Sequence, residues 1–385
     1  MRGSVTLRHV IVVTPTEVIP DGFVRVSDGL VQGLGPEPAP QGPDDINARG
    51  LIAAPGLVDV HIHGAGGYDV MDLSTRSIVG MAEFLACRGV TSFIPTTVSL
   101  ELEDMIRACA AVRGALTSRG SRVLGIHFEG PYISKARAGA HDPNVIRDPS
   151  ADEVNRLLAE CGDVMREVTM APELPGAIEA IRQLSSRGVV VQVGHSDATF
   201  AQVQEAFRAG ATKVTHLFDA MRPFHHREPG VVGAALASRA YVEIIGDMVH
   251  VSPEAFTLAY EVVGPRRLAL VSDATPAAGL PEGRYSFWGL SVESRGGAAW
   301  ISGKGVLAGS ASTLDVDMAN VYRLGISAPE AIQMATMTPA LSASALARDA
   351  VGALAPGAAG DVVLLDKDLR PRATFLRGVQ VCGKL

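Results

Sequence analysis

Aromatic residues are few, at 5% of the chain, and charged residues make up only 19%. The balance of 34 Lys and Arg against 41 Asp and Glu leaves a formal charge of -7. Such a chain has no basic surplus to offer a nucleic acid or another polyanion, though one local basic pocket stays compatible with it. Cysteine is scarce: Cys87, Cys109, Cys161 and Cys382 are the four in the chain. None forms a CxxC pair, which excludes zinc knuckles and dithiol redox motifs. Three fall in helical stretches and one in a terminal strand, and four scattered thiols fit a reducing compartment. No apolar run approaches the ~20 residues of a membrane span, so no membrane partner is expected. The opening Met1-Arg-Gly-Ser-Val5 lacks the basic-then-apolar layout of a secretory signal. The expectation is a cytoplasmic protein.

What the chain does have is apolar content, at 47%, and 41 glycines. This is a globular composition with many tight loops. Its 385 residues exceed one ordinary core, which predicts a large domain with a smaller one. Val5–Val13 and Gly22–Ser27 read as strands, and Leu34–Pro43 as a Pro/Gly loop. The far end repeats this character at Asp361–Asp366 and Ala373–Val381. Both ends therefore combine, residues 1–54 with 350–385, into a small β-sandwich domain.

Between them, over 55–349, apolar runs alternate with helical stretches. Eight runs are strand candidates: Leu57–His63, Gly89–Thr97, Arg122–Gly130, Glu167–Glu173, Val189–His195, Lys213–Phe218, Tyr241–His250 and Arg267–Thr275. Helices are expected at Thr75–Arg88, Asp152–Cys161, Gly176–Arg187, Phe200–Ala209, Pro253–Val263, Thr313–Tyr322 and Pro329–Met337. Eight βα units predict a closed α/β architecture, a (β/α)8 TIM-like barrel. Gly283–Leu307 interrupts it as a hairpin-like insert.

Polar residues gather where these runs end. His61 and His63 stand two apart, so on a strand both imidazoles share a face and can clasp one cation. Gly64, Gly66 and Gly67 follow and leave room for close backbone approach. Glu129, His195, His216 and Asp273 end four further runs. Taken singly, each is an ordinary loop histidine, salt-bridged acid or cap. Together they place four His and two acids at the C-terminal face, where barrel enzymes build their sites. Imidazole and carboxylate ligands suit zinc, iron, cobalt or nickel. A metal makes hydroxide available at neutral pH, and an acid that is not a ligand can carry the proton, a role that falls to Asp273.

Pro55-Gly-Leu-Val-Asp-Val-His-Ile-His-Gly64 and Ser272-Asp-Ala274 resemble the first-strand and last-strand signatures of the amidohydrolase superfamily. Within it, the chain is similar to the N-acetylglucosamine-6-phosphate deacetylase family. The similarity is carried by His127-Phe-Glu-Gly-Pro131, Gly139-Ala-His-Asp-Pro143, Gly194-His-Ser-Asp197, Thr215-His-Leu-Phe218, Arg227-Glu-Pro-Gly230, Ser272–Thr275 and Leu307-Ala-Gly-Ser310. The resemblance implies hydrolysis of the amide of N-acetylglucosamine 6-phosphate to glucosamine 6-phosphate and acetate. It implies Glu129, His195 and His216 as ligands of the main ion, with His61 and His63 holding a second, so one or two divalent ions per subunit. It implies Asp273 as general base and then acid, and His250 as a substrate-orienting group. It further implies a sugar pocket at Ala140, His141, Ala220, Leu307 and Ala308. Arg227 would bind the 6-phosphate from a neighbouring subunit, which implies a homodimer. The family's Leu-Phe-Asn-Ala-Met reads Leu217-Phe-Asp-Ala-Met221 here. Asp219 puts an anion where Asn helps hold the phosphate. That departure leaves open a different N-acyl or cyclic amide substrate without the phosphate.

Overall fold

The computed structural model describes residues 3–385 except positions 15 and 43, and the backbone alone at 346. Met1 and Arg2, which entered the reading of the N-terminus, and Pro43, the last residue of the expected loop, lie outside the described residues.

Eight parallel strands form the barrel: β1 (Leu57–Ile62), β2 (Val90–Thr97), β3 (Ile126–Glu129), β4 (Met165–Met170), β5 (Val190–Val193), β6 (Lys213–Val214), β7 (Tyr241–Ile245) and β8 (Leu268–Val271). Each pairs with the next, and the ring closes where Ile62 bridges Ala274. All eight expected runs are therefore present, but several strands stop short of the polar residues that end the runs. Alternation explains the interior. Val168, Val191, Val214, Val242 and Ile244 join the cluster packed under the helices, together with Val154, Leu157, Ile181 and Val203. Each such fully buried side chain contributes roughly 1.5–3 kcal/mol. Their strand neighbours Glu167, Thr169, Gln192, Lys213, Thr215 and Glu243 form a fully buried polar network inside the barrel.

The helices α1 (Thr75–Ala86), α3 (Ala151–Cys161), α4 (Ala177–Ser186), α5 (Phe200–Ala209), α7 (Pro253–Val263) and α8 (Leu314–Arg323) lie where the sequence predicts them. Ser74, Ser150, Thr199 and Ser252 cap four of them through their hydroxyls. Besides the short helix Ala345–Asp349, two helices lie outside the predicted ranges: α2 (Leu102–Ala115), of which only the surroundings of Cys109 read as helical, and α6 (Gly230–Ala237). Neither has a side-chain cap, and α6 is buried from Gly230 to Ala235, so no amphipathic stripe marks it. The expected Pro329–Met337 helix divides at Thr336 into Ala328–Ala335 and Met337–Ser342. The insert is larger than a hairpin. It is a four-stranded antiparallel sheet over Gly283–Phe287, Leu290–Arg295, Ala298–Ile301 and Val306–Ser310.

Strands from both chain ends share one eight-stranded sheet, in which Ile52–Pro55 pairs with Val362–Leu365. Ala373–Val381 is not one run. Arg377 and Gly378 take left-handed backbone and turn it into a hairpin. The cysteines also differ from the expectation of four separate thiols. Cys87 is joined to Cys382 and Cys109 to Cys161, because the fold packs the end of α1 on the last strand and α2 beside α3. Sequence separations of 295 and 52 residues hide both pairings. No helix among the described residues is long and apolar enough to cross a membrane.

Candidate active site

The mouth of the barrel is built from residues that have just left their strands. His195, His216 and Asp273 have φ of 46°, 21° and 48°. Left-handed backbone at non-glycine residues is uncommon and clusters at functional sites. Here it turns each side chain inward over the strand ends. Gly64, after His63, must be glycine: a Cβ there would lie 2.6 Å from Tyr68 O and 2.7 Å from Pro276 N. The insert's last strand completes the rim. Ser310 N–H donates to Asp273 O at 2.8 Å, which holds Leu307 and Ala308 at the pocket.

Two carboxylates sit among the imidazoles. Glu129 Oε1 lies 2.8 Å from His216 Nε2, 3.1 Å from His195 Nε2 and 3.4 Å from His61 Nε2. Its Oε2 lies 3.2 Å from His141 Nε2 and 3.3 Å from His63 Nε2. Asp273 Oδ1 is 3.1 Å from His63 Nε2 and 3.4 Å from His61 Nε2. Burial alone would raise the Glu129 carboxyl, but the facing imidazoles of His61 and His195 hold it well below the usual carboxylate range. Burial opposes ionisation of Asp273 too, and the hydrogen bond from His63 with the charges of His61 and His63 outweighs it, lowering that carboxyl as well.

The ring nitrogens test whether a cation fits. His63 Nδ1 faces Thr96 O at 3.0 Å and His195 Nδ1 faces Arg137 O at 2.8 Å. A carbonyl only accepts, so both Nδ1 atoms carry the hydrogen, which leaves Nε2 of each ring as the nitrogen that can face a cation in the mouth. There the Nε2 atoms of His195 and His216 are 3.2 Å apart and share one carboxylate oxygen. His61 Nε2 is buried with no hydrogen-bond partner. Imidazole nitrogens and carboxylates that converge this closely need positive charge between them, supplied by ring protons or by a metal ion in their place. Three overlapping ligand sets have atoms within 4.8 Å of one another: His61–Glu129–His216, His61–His63–Asp273 and Glu129–His141–His195. The donor set fits a divalent metal of the zinc, iron, cobalt or nickel kind.

Above it opens a pocket of about 320 Å³, within the range of small-molecule sites. Ala140, His141, Asp219, Ala220, His250, Leu307 and Ala308 line it, as anticipated, together with His63, Glu129, His195, His216 and Asp273, while His61 lies outside its lining. His250 is anchored by Asp247, Nδ1 to Oδ2 at 2.6 Å. Burial would lower its pKa, but that bond and charge raise it to about 9. Asp219 carries an Oδ2 shut off from solvent without a partner. Burial raises its carboxyl to about 6 against the opposing charges of His250 and His216.

Arg227 is the predicted residue that this chain does not bring to the pocket. It is exposed, with Nη1 3.0 Å from His226 Nε2. The arginine that does line the pocket is Arg137, tied to Asp197 at 2.6 Å. Sequence reasoning also missed Trp288, whose ring centre is 5.1 Å from that of His63, and the buried Glu243 and Lys213. Trp288 is one of two tryptophans and is followed by Gly in a strand-rich insert, a usable turn signal. Charged Glu243 and Lys213 inside apolar runs were the other available sign.

The sequence profile of the amidohydrolase family matches residues 52–381. The chain belongs to the amidohydrolase family. Within this family it is 38% identical to the N-acetylgalactosamine-6-phosphate deacetylase of Escherichia coli O157:H7, over 93% of this chain and 94% of the relative. It is 39% identical to the N-acetylglucosamine-6-phosphate deacetylase of Bacillus subtilis (strain 168), over 80% of each. The structure of a mutant N-acetyl-D-glucosamine-6-phosphate deacetylase from Mycobacterium smegmatis, solved in complex with N-acetyl-D-glucosamine-6-phosphate, superimposes with a TM-score of 0.92. It is 34% identical over 98% of this chain and 99% of that one. The barrel with a terminal β domain, expected from the strand rhythm, is thus the fold of this amidohydrolase and of its relatives.

Proposed function

We propose that this amidohydrolase is a metal-dependent deacetylase that hydrolyses N-acetylglucosamine 6-phosphate to glucosamine 6-phosphate and acetate. The observation that carries this is the convergence of His61, His63, His195 and His216 on Glu129 and Asp273 at the floor of a sugar-sized pocket. Glu129, His195 and His216 would hold the main ion, and His61 and His63, which also face Glu129, would hold a second. A divalent ion bound there supplies hydroxide at neutral pH and polarises the amide carbonyl. Asp273 takes the proton of the attacking water and returns it to the nitrogen as the C–N bond breaks. His250, cationic through Asp247, donates a hydrogen bond to the oxygen that gains negative charge. Ala140, His141, Ala220, Leu307 and Ala308 hold the sugar.

Arg227 serves a second copy of the chain in this reading. Its loop is exposed and carries Phe224, at 56% exposure an apolar anchor for a homodimer contact. Residues 1–54 with 350–385 form a scaffold domain beside the catalytic 55–349. The reaction belongs in the cytoplasm, because a phosphate ester is too strongly charged to cross a bilayer.

Asp219 favours a second reading: an N-acyl substrate that presents a hydrogen-bond donor there in place of a phosphate. Acetate release from N-acetylglucosamine 6-phosphate, N-acetylgalactosamine 6-phosphate and N-acetylglucosamine separates the two. Faster release from the phosphorylated sugars supports the deacetylase. Release from the unphosphorylated sugar alone overturns the phosphate. Asp219→Asn sharpens the result. Asp219 is neutral below about pH 6 and an anion above it, so it repels phosphate only on the alkaline side. The variant is expected to raise kcat/KM for the phosphorylated sugar several-fold at pH 8 and to leave it nearly unchanged at pH 5.5. A gain equal at both pH values contradicts this account of Asp219.

A further inference from the structure

Beneath the metal-facing residues lies a charged network that no step above uses. Lys213, Glu167 and Glu243 are fully buried inside the barrel. Lys213 Nζ donates to the two Glu167 oxygens at 3.1 and 3.0 Å and makes a 2.7 Å ion pair with Glu243 Oε1. Gln192 Nε2 donates to Glu167 Oε2 at 2.6 Å. Glu243 Oε2, in turn, takes the hydrogen bond of His61 Nδ1 at 3.0 Å. A line of side chains from β4, β6 and β7 thus ends on one imidazole of β1.

The other imidazoles are supported differently. His63 and His195 lean on backbone carbonyls, and His216 Nδ1 has no partner among the described residues. Of these four, only His61 is backed by a carboxylate. Barrel interiors are ordinarily filled by branched apolar side chains, and taking three charges out of water opposes folding unless they are matched. Such a trio calls for a purpose other than filling space.

We propose that Glu243 is a positioning residue for metal binding by His61, with Lys213 and Glu167 fixing where its carboxylate stands. The Glu243 acceptor holds His61 with its hydrogen on Nδ1, turns the ring toward the mouth, and its negative charge strengthens Nε2 as a donor to a cation. A carboxylate behind a ligating histidine typically alters metal affinity by about 10- to 100-fold. This inference rests on the reading that His61 and His63 face a metal, and the test separates the two.

The test is titration of metal-free protein with Co(II), read by bound metal per chain and by the visible absorption of the ion, for wild type and Glu243→Gln. The variant leaves the Lys213–Glu167 pair intact, so the fold keeps a matched charge, and calorimetry checks it. Wild type is expected to take up two ions. In Glu243→Gln the weaker ion is expected to lose about 10- to 100-fold in affinity with a changed absorption band, while the tighter ion is unaffected. Unchanged affinity for both ions overturns the proposal, and so does equal weakening of both, which would mark a general structural effect. If Glu243→Gln does not fold, the charge-balanced double variant Lys213→Gln with Glu167→Gln is read the same way. A wild type that binds no ion overturns the metal reading itself and this inference with it.

Discussion

Asp273→Asn is expected to lower kcat by about 100- to 10,000-fold, the range of a lost general acid–base group, while the protein keeps its metal. In barrier terms this is roughly 3–5 kcal/mol. The geometry explains why so small a change acts so strongly. Asp273 stands 3.1 Å from His63 and 3.4 Å from His61, beside the ions' expected place and at the pocket floor. Its carboxyl is held below the usual range despite burial, so it enters the reaction ionised and able to accept a proton. Asparagine keeps the shape and loses the basic oxygen. Glu129, His195 and His216 are untouched, so metal content measured beside kcat separates loss of the base from loss of the site. A variant that keeps activity within tenfold would place the base elsewhere.

Glu129→Gln is expected to act one step earlier. Glu129 is the one carboxylate within 3.4 Å of five imidazoles, those of His61, His63, His141, His195 and His216. Glutamine removes the negative charge and turns a two-sided acceptor into a half donor. Bound metal should fall to a small fraction of the wild-type content. Activity should fall by on the order of 1,000-fold or more, since the nucleophilic water is no longer made acidic enough to give hydroxide at neutral pH. Elemental analysis and acetate release on the same preparation check both halves. A variant that retains metal but loses activity would make Glu129 a proton carrier and contradict its place as a ligand.

Much of this was legible in the chain because barrel geometry is regular. A strand of alternating or continuous apolar residues followed by a polar turn puts the polar residue at one rim, whichever strand it follows. That rule found His61, His63, Glu129, His195, His216 and Asp273 without any contact information. It failed where chemistry lies inside the strands. Glu167, Lys213 and Glu243 sit within apolar runs, and their mutual pairing depends on register between strands 30 to 46 residues apart at Lys213. It failed again at the cysteines, whose partners depend on how α1 and α2 dock. With the thiols paired, the cysteine argument for a reducing compartment falls away, and the cytoplasmic proposal stands on the charged substrate alone. Arg227 was legible only through resemblance, since nothing within one chain brings it to the pocket.

The most direct test of the central claim is acetate release from N-acetylglucosamine 6-phosphate by the same protein before metal removal, after removal, and after return of Zn(II) or Co(II). The account predicts rapid release, loss of release on chelation, and recovery as one to two ions per chain are restored. Release that persists in the metal-free protein would contradict it, because the convergence of imidazoles on Glu129 would then serve some purpose other than holding the ion.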